Sequence, residues 1–160
     1  MATPARASGS GRVVALFISP RRTYPMEARA QVHARTNHGF EDDAHARPGG
    51  SRQVLLLESE TLKEFGVEPG ALKENITTVG VQLAALEPGT RVQVGTARLE
   101  ITKECAPCEE VDSVQPGLQE KLRGRRGMLA RVLAGGPIQV GDPIAVTPGC
   151  GSKERSALGL

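Results

Sequence analysis

The 160-residue chain is poor in aromatic side chains, with no Trp, one Tyr and three Phe, together 2% of the residues. Its hydrophobic core must therefore be built from Val, Leu, Ile and Ala. The same scarcity leaves almost no surface on which the bases of a single-stranded nucleic acid could stack. The net charge of only +2 also argues against binding to a phosphate backbone, so we expect no nucleic-acid partner.

Long apolar runs and a set of pairable cysteines are missing as well. No stretch approaches the length of a membrane span or of a secretory signal, so we expect no membrane partner. The three cysteines cannot all pair within the chain, which is typical of a reducing compartment. These absences predict a cytoplasmic protein, and the chain length suits one domain with an ordinary core.

The two ends of the chain differ in composition from its middle. Residues 1–11 are rich in Ala, Ser, Gly and Arg, and residues 149–160 show no apolar periodicity. Such segments cannot bury enough apolar surface to order themselves. We expect a flexible tail at each end and a single domain over residues 12–148.

Short runs rich in β-branched residues and Leu indicate strands in this domain. Residues 12–19 (RVVALFIS) and 53–58 (QVLLLE) have the length and composition of core strands. The segment that follows, residues 59–66, predicts a short helix that Ser59 caps and Gly66 ends.

Two later segments, residues 91–102 and 137–147, resemble each other in pattern. In each, a β run meets a glycine turn, at Gly95 or Gly141, and then an alternating run resumes. This pattern is typical of a hairpin. With a helical turn expected over residues 117–122, the chain is predicted to be mainly β, a closed or nearly closed barrel with a few short helices.

Two of the cysteines lie close together in Cys105-Ala-Pro-Cys108, just after a predicted strand. A thiolate is both a strong nucleophile and a ligand for soft metals, so this segment is a candidate reactive centre. The spacing alone leaves redox chemistry, metal binding and a structural role open. A zinc site would need further ligands, for which the chain offers His33, His38, His45 and Cys150.

A basic cluster, Arg123, Arg125 and Arg126, lies in the connection between Cys108 and the last segment. Guanidinium groups bind carboxylates and phosphates through a planar fork of donors. The cluster is therefore either a solvated loop or an anion clamp.

Seven blocks follow one another along the domain: GFEDDAHA (39–46), RQV (52–54), PGALKENIT (69–77), PC (107–108), RGM (126–128), GGPI (135–138) and GD (141–142). Their order resembles the MOSC domain, which is found at the C terminus of molybdenum cofactor sulfurases. The resemblance covers roughly residues 11–148 and implies a small stand-alone bacterial-type member with the MOSC-type β-barrel. The 160 residues leave no room for the pyridoxal-phosphate domain of full-length sulfurases.

The resemblance implies a role for Cys108, because the matching cysteine of the family is a proposed sulfur carrier and, in molybdenum-containing relatives, a metal ligand. Cys108 is thus expected to carry a persulfide or to bind molybdenum. Cys105 has no counterpart in the family pattern. From its spacing alone we expect a resolving thiol or a second ligand.

The acidic-His block contributes Asp43 and His45, which could orient a bound group through an acceptor and a titratable donor. Asp42 stands where this block usually has Gly, which puts the geometry of the turn in question. We expect Asp43 and His45 to lie near Cys108.

Three further residues are candidates for binding molybdopterin, the molybdenum cofactor. Arg52 and Arg126 could hold an anionic group such as the pterin phosphate, although a salt bridge at a strand end would also explain Arg52. Asn75 could stabilise a turn or contact the ligand, and the sequence favours the turn.

Two functional interpretations follow. The first is sulfur transfer or molybdenum cofactor handling, as a sulfurtransferase-like carrier or with a cofactor-dependent activity, in which a donor such as a cysteine desulfurase and a cofactor or metalloenzyme acceptor are partners. The second is a non-catalytic module that binds a pterin-type cofactor or a protein, in which the cysteine is incidental.

Overall fold

Strands dominate the regular structure of the part of the chain that the computed structural model describes, residues 10–21, 25–105 and 109–147. The strands are β1 (Ser10–Ile18), β2 (Glu27–Arg29), β3 (Gln31–Arg35), β4 (Gly39–Phe40), β5 (Val54–Glu58), β6 (Ile76–Val79), β7 (Arg91–Val94), β8 (Ala97–Glu104), β9 (Met128–Ala134), β10 (Gly136–Gln139) and β11 (Pro143–Thr147). The helices are α1 (Ser59–Phe65) and α2 (Leu118–Lys121), with 3-10 turns at Leu83–Ala85 and Glu109–Ser113. In these described ranges, no helix has both the length and the apolarity needed to cross a membrane. Cys108, Cys150 and most of the two predicted tails lie outside the described residues.

Seven of the strands close into a barrel, in the order β1-β6-β5-β9-β8-β7-β11 and back to β1. All neighbours in this ring are antiparallel except β5 and β6, which are parallel. Closure leaves no unpaired edge in the ring. Strand β2 pairs with β1 but is not part of the ring. Strands β10, β3 and β4 form a separate small sheet. The predicted mainly β, closed barrel is confirmed.

Aliphatic side chains fill the barrel, as the composition predicts. Strand β8 alternates buried and more exposed residues along its first half, which places one face toward the core. The fully buried aliphatic and aromatic residues with the largest side chains in this core are Leu16, Phe40, Leu56, Ile76, Leu83, Leu99, Ile101 and Ile138. Phe40 is the one aromatic residue among them.

The predicted strands and helix of the first half are present. The two core strands correspond to β1 and β5, and α1 ends at Gly66, which adopts a left-handed conformation with φ 68°. The predicted cap is wrong in one detail: Glu58 occupies the N-cap position, and Ser59 is already helical and buried. The Glu58 carboxylate instead accepts a hydrogen bond from the Leu83 backbone N–H at 2.7 Å.

Of the two predicted hairpins, the first is confirmed and the second is wrong. Strands β7 and β8 pair across the turn at Gly95. Strands β10 and β11 do not pair with each other, because β10 joins β3 and β11 joins β7 and β1. At Gly141 (φ 94°) the backbone N–H donates to the carbonyl of Val13, while that of Val140 donates to Ala30. The turn therefore moves the chain from the small sheet to the barrel.

Candidate functional site

A cleft of about 470 Å³ lies against the outer face of the barrel wall. Its floor is a small cluster of Leu55, Leu129 and Cys105 that packs separately from the barrel core. Leu55 and Leu129 are partners in the β5–β9 pair. Because successive strand residues point to opposite faces, these two face outward while Leu56 and Met128 face the core. The lining residues are His45, Arg47, Arg52, Gln53, Val54, Leu55, Lys73, Asn75, Cys105, Arg126 and Leu129.

Asn75, which lines the cleft, forms a buried hydrogen bond with Asp43, which lies behind it. The Asn75 side chain accepts a hydrogen bond from the Leu55 N–H (3.0 Å) and donates to the Phe17 carbonyl (3.2 Å) and to Asp43 Oδ2 (3.1 Å). Asp43 Oδ1 accepts from the Ser19 N–H at 2.9 Å. These bonds use both N–H donors of the Asn75 amide, so its side chain positions the wall.

Gln53 holds the loop between β4 and β5 against the barrel. Its side-chain N–H groups donate to Asn37 Oδ1 (3.2 Å) and to the Arg47 carbonyl (3.0 Å), while its Oε1 accepts from the Val132 N–H (2.9 Å). The buried amide thereby fixes the loop that carries His45 and Arg47 along the cleft. His45 remains partly exposed there, with its Nδ1 4.0 Å from Asp43 Oδ1.

Arg126 is buried at the other side of the cleft, with 7% of its surface exposed. Its Nη2 donates to the Leu72 carbonyl at 2.6 Å, but Nε and Nη1 have no hydrogen-bond partner among the described residues. The next residue, Gly127, has φ 118°, and a Cβ there would collide with the Leu56 carbonyl oxygen. Glycine is therefore required for β9 to begin this close to β5, and this approach places Arg126.

Glu74 is a fully buried carboxyl group in the same region. Burial raises its pKa, and hydrogen bonds from the Gly70 N–H and the Thr77 hydroxyl, each 2.8 Å long, together with the charge of Arg126, oppose the shift. Its Oε1 has no partner among the described residues. Glu74 and Arg126 thus interact through their charges, and each has buried polar atoms without a partner among the described residues.

Lys73 directly precedes Glu74 and lines the cleft. It adopts a left-handed backbone conformation with φ 66°, which is costly for a residue with a side chain and is found preferentially at functional sites. Lys73 was not among the site residues predicted from the sequence, although it falls within the 69–77 block. Arg47, which directly follows the acidic-His block, was missed as well.

The charge of the cleft is one-sided. Four side chains that line it are permanently or normally cationic, Arg47, Arg52, Lys73 and Arg126, and His45 adds a titratable ring. None of the lining residues described for this cleft is acidic. A cavity lined by one sign of charge concentrates ligands of the opposite sign, so this geometry favours an anionic ligand.

The structure brings several predicted site residues together. His45, Arg52, Asn75, Cys105 and Arg126 line the one cleft. Asp43 does not line the cleft, because its carboxylate is buried behind Asn75. Cys108 lies outside the described residues, so its distance from them stays a prediction.

The basic cluster does not act as one clamp. Arg123 is exposed and pairs with Glu120, whereas Arg125 forms an ion pair with Glu64 and stacks over the Phe65 ring. Of the three arginines, only Arg126 lines the cleft. Of the two alternatives left open for this cluster, a clamp made of all three arginines is not formed, because the turn before Gly127 separates their side chains.

Asp42 resolves the question that its place in the acidic-His block raised. Its φ of 68° is the left-handed conformation that glycine adopts at low cost. Aspartate tolerates this conformation better than most residues, so the turn forms with Asp at this position as it would with Gly. Asp43 and His45 follow that turn directly.

A zinc site finds no support in the described residues, where no three His, Cys, Asp or Glu side chains cluster as metal ligands do. His33 lies instead on the small sheet, with its Nδ1 3.7 Å from Glu41.

The structure is therefore a closed β-barrel that bears a cation-lined cleft, and the Cys105 thiol is part of the lining. The sequence model of the MOSC domain matches residues 36–145. Because this match covers more than half of the chain, the protein belongs to the MOSC domain family.

Solved structures share this fold. YuaD from Bacillus subtilis matches with a TM-score of 0.71 and 20% identity, over 86% of this chain and 95% of that one. YiiM from Geobacillus stearothermophilus gives 0.69 and 20%, over 86% and 75%, and YiiM from Escherichia coli gives 0.66 and 18%, over 86% and 69%. At these identities the likeness shows the fold alone. No curated protein matches the chain.

Proposed function

We propose that this protein binds the molybdenum cofactor, or sulfur destined for it, in the cation-lined cleft. Membership of the MOSC family supports a role in molybdenum cofactor binding or handling. The observation that carries the proposal is the buried Arg126, whose Nε and Nη1 lack partners among the described residues in a cleft lined by cations. Buried polar groups without partners are rare in proteins, and those that occur often serve a catalytic role or hold an ion.

The residues of the cleft fit an anionic pterin. Arg126, Arg52 and Lys73 would bind the phosphate, since charge-assisted hydrogen bonds to phosphate are the strong ones, and His45 would face the same space. When bound, the cofactor would supply a molybdenum centre for redox or atom-transfer chemistry. Cys108, which follows the cleft residue Cys105 closely in sequence, is the soft ligand that we propose for the metal.

In the sulfur-transfer form of this proposal, Cys108 carries a persulfide. A donor such as a cysteine desulfurase would load the Cys108 thiolate, and a cofactor or metalloenzyme would accept the sulfur. This chemistry needs reduced thiols, which agrees with the expected cytoplasmic location.

Molybdenum content tests the ligand role. The protein, produced anaerobically in a host that makes the cofactor, should contain molybdenum by elemental analysis, and Cys108→Ser should lose it. Cys150→Ser is the matched control and should keep it. Equal molybdenum in wild type and Cys108→Ser, or none in either with cofactor supplied, contradicts the ligand role.

Persulfide labelling tests the carrier role. With a cysteine desulfurase as donor, we expect mass spectrometry to find added sulfur in wild type and in Cys105→Ala, but not in Cys108→Ala. Extra sulfur that persists in Cys108→Ala and disappears in Cys105→Ala reverses the assignment. If wild type is never labelled, the carrier role is wrong and the protein is better described as a non-catalytic binding module.

A further inference from the structure

The Cys105 thiol and the buried guanidinium of Arg126 line the same cleft, and the proposed function gives Cys105 no role as a sulfur acceptor. We propose that Cys105 accepts a sulfur atom from a small dianionic donor of the thiosulfate type, whose oxygen atoms bind Arg126. This inference rests on the proposed sulfur-handling function of the cleft, but it does not require Cys108.

A backbone hydrogen bond holds the segments that carry these two residues together. The Cys105 N–H donates to the Gly127 carbonyl at 2.9 Å, and Gly127 directly follows Arg126. Cys105 lines the cleft with 6% of its surface exposed and packs on Leu55 and Leu129. The Cys105 thiol therefore lies on an apolar floor. Arg126, which carries the cationic group, directly precedes Gly127, the residue that accepts the hydrogen bond from the Cys105 backbone.

Arg126 supplies the evidence for a ligand that is independent of the cysteine. The side chain is more than nine-tenths buried, yet its Nε and Nη1 have no partner among the described residues. Leaving a buried donor unpaired costs about 1–3 kcal/mol. A fold keeps such a group at little cost if a ligand's oxygen atoms complete its hydrogen bonds, and planar guanidinium groups match oxyanions in particular.

The surroundings specify the ligand further. Arg52 and Lys73 add positive charge to the lining, and no described lining residue is acidic, so a doubly negative ligand is favoured over a singly charged one. An apolar floor at Cys105 suits a polarisable sulfur atom better than a hydrated oxygen atom. A thiosulfate-type donor combines the two features that the cleft favours. Its charged oxygen atoms would bind Arg126, and its terminal sulfur atom would face Cys105.

The transfer step is a thiol exchange and needs no external oxidant. The Cys105 thiolate attacks the terminal sulfur of thiosulfate, a new S–S bond forms on Cys105, and the S–S bond of thiosulfate breaks. Sulfite leaves with the electron pair of the broken bond, and the proton of the original thiol passes to solvent. The product is a Cys105 persulfide, which a following thiol or cofactor can take up.

Single-turnover reactions with thiosulfate test the acceptor. We expect wild type and Cys108→Ser to release sulfite and to gain one sulfur atom, which fragmentation of the alkylated peptide in the mass spectrometer should place on Cys105. Cys105→Ser should release no sulfite. Equal sulfite from Cys105→Ser, or added sulfur found only on Cys108, overturns the proposal.

The role of Arg126 is tested in a Cys108→Ser/Cys150→Ser background, where Cys105 is the remaining thiol. Arg126→Gln should slow sulfite release roughly 10- to 100-fold, the size expected for lost hydrogen bonds to a charged group. It should leave the reaction of Cys105 with uncharged bis(hydroxyethyl) disulfide within about twofold, as should the exposed-site control Arg123→Gln with both reagents. If Arg126→Gln slows both reagents equally, the effect is structural and anion recognition is wrong.

These outcomes separate the two proposals. If a cysteine desulfurase labels Cys108 but thiosulfate never labels Cys105, the proposed function stands and this inference is wrong. If thiosulfate labels Cys105 and Cys108 neither carries sulfur nor binds molybdenum, the cleft handles sulfur by the route inferred here.

Discussion

Two buried polar clusters lie side by side near the cleft, and they differ in how completely they are satisfied. In the Asp43–Asn75 cluster, both N–H donors of the Asn75 amide and both carboxylate oxygens of Asp43 have partners. In the Glu74–Arg126 cluster, Glu74 Oε1 and Arg126 Nε and Nη1 have none among the described residues. One member of each cluster, Asn75 of the saturated one and Glu74 of the unsaturated one, lies in the loop before β6, where the two residues are adjacent.

The difference indicates a division of roles. A saturated network rigidifies its surroundings, because every member is held by the others. An unsaturated one lowers stability and is retained where it serves a ligand or a proton. Asn75 and Asp43 therefore build the wall of the cleft, whereas Arg126 is available for binding an anion and the buried carboxyl of Glu74 has a raised pKa.

The largest expected effect comes from breaking the saturated cluster. Asn75→Ala removes three hydrogen bonds that join β1, β5 and the Asp43 loop, and it leaves the Asp43 carboxylate short of a donor. We expect the free energy of unfolding to fall by roughly 3 kcal/mol in urea titrations. The exposed control Gln82→Ala should change it by less than about 0.5 kcal/mol. A loss below about 1 kcal/mol for Asn75→Ala would show that the cluster does not hold the wall.

The pH dependence of stability tests the unsaturated cluster through its carboxyl group, Glu74. Burial raises the pKa of Glu74 above 4.5 in the folded protein. The folded state therefore binds more protons than the unfolded state above that pH, and the contribution of Glu74 to stability is lost as pH rises through the raised pKa. Glu74→Gln removes this dependence, so its stability relative to wild type should increase as the pH rises above 4.5.

Urea midpoints across that pH range measure the effect. Glu68→Gln, at an exposed position, is the matched control and should run parallel to wild type. If the curves of Glu74→Gln and wild type are also parallel, Glu74 does not titrate in this window and the unsaturated cluster has no ionisable member.

Two adjacent threonines in β6 provide a matched pair with a smaller effect. Both are fully buried, but the Thr77 hydroxyl donates to Glu74 Oε2 at 2.8 Å, whereas the Thr78 hydroxyl has no partner among the described residues. Thr77→Val should destabilise the protein by about 1–2 kcal/mol. Thr78→Val should be neutral or stabilising. Equal losses for the two variants would contradict this assignment of hydrogen bonds.

The smallest expected effect is at Asp42, whose φ of 68° carries the strain of a left-handed residue. Asp42→Gly should raise the free energy of unfolding by about 0.5–1 kcal/mol, since relief of that strain outweighs the added freedom of the unfolded chain. Thermal or urea unfolding measures it. A destabilised Asp42→Gly would show that the carboxylate makes a compensating interaction.

Local patterns predicted much of the fold. Strands β1 and β5 and the β7–β8 hairpin follow from runs of β-branched residues and Leu and from a glycine turn, and α1 follows from the helix signal that Gly66 ends. The β10–β11 pairing was wrong because the partner of β10 is β3, about a hundred residues away, where Gly136 faces Ala34. Hydrophobic periodicity describes the face of a strand but does not identify its neighbour.

The site was predictable in its members but not in their roles. Arg125 and Arg126 are adjacent and identical in type, yet one is exposed and paired with Glu64 while the other is buried. The left-handed conformation of Lys73 could not be predicted from its residue type, because lysine has no preference for that conformation. Burial and backbone conformation of this kind arise from tertiary packing, which a single sequence does not encode locally.

The central claim is that Arg126 Nε and Nη1, which have no partner in the part of the chain that the structure describes, bind an anion. Its most direct test is calorimetric titration with inorganic sulfate. Sulfate has the charge of the proposed ligands but transfers no atom. We expect wild type and the exposed-site control Arg123→Gln to bind it with equal affinity, weakening with ionic strength. Arg126→Gln should bind roughly 10- to 100-fold more weakly while keeping the unfolding midpoint close to that of wild type. Unchanged affinity in Arg126→Gln would contradict the claim.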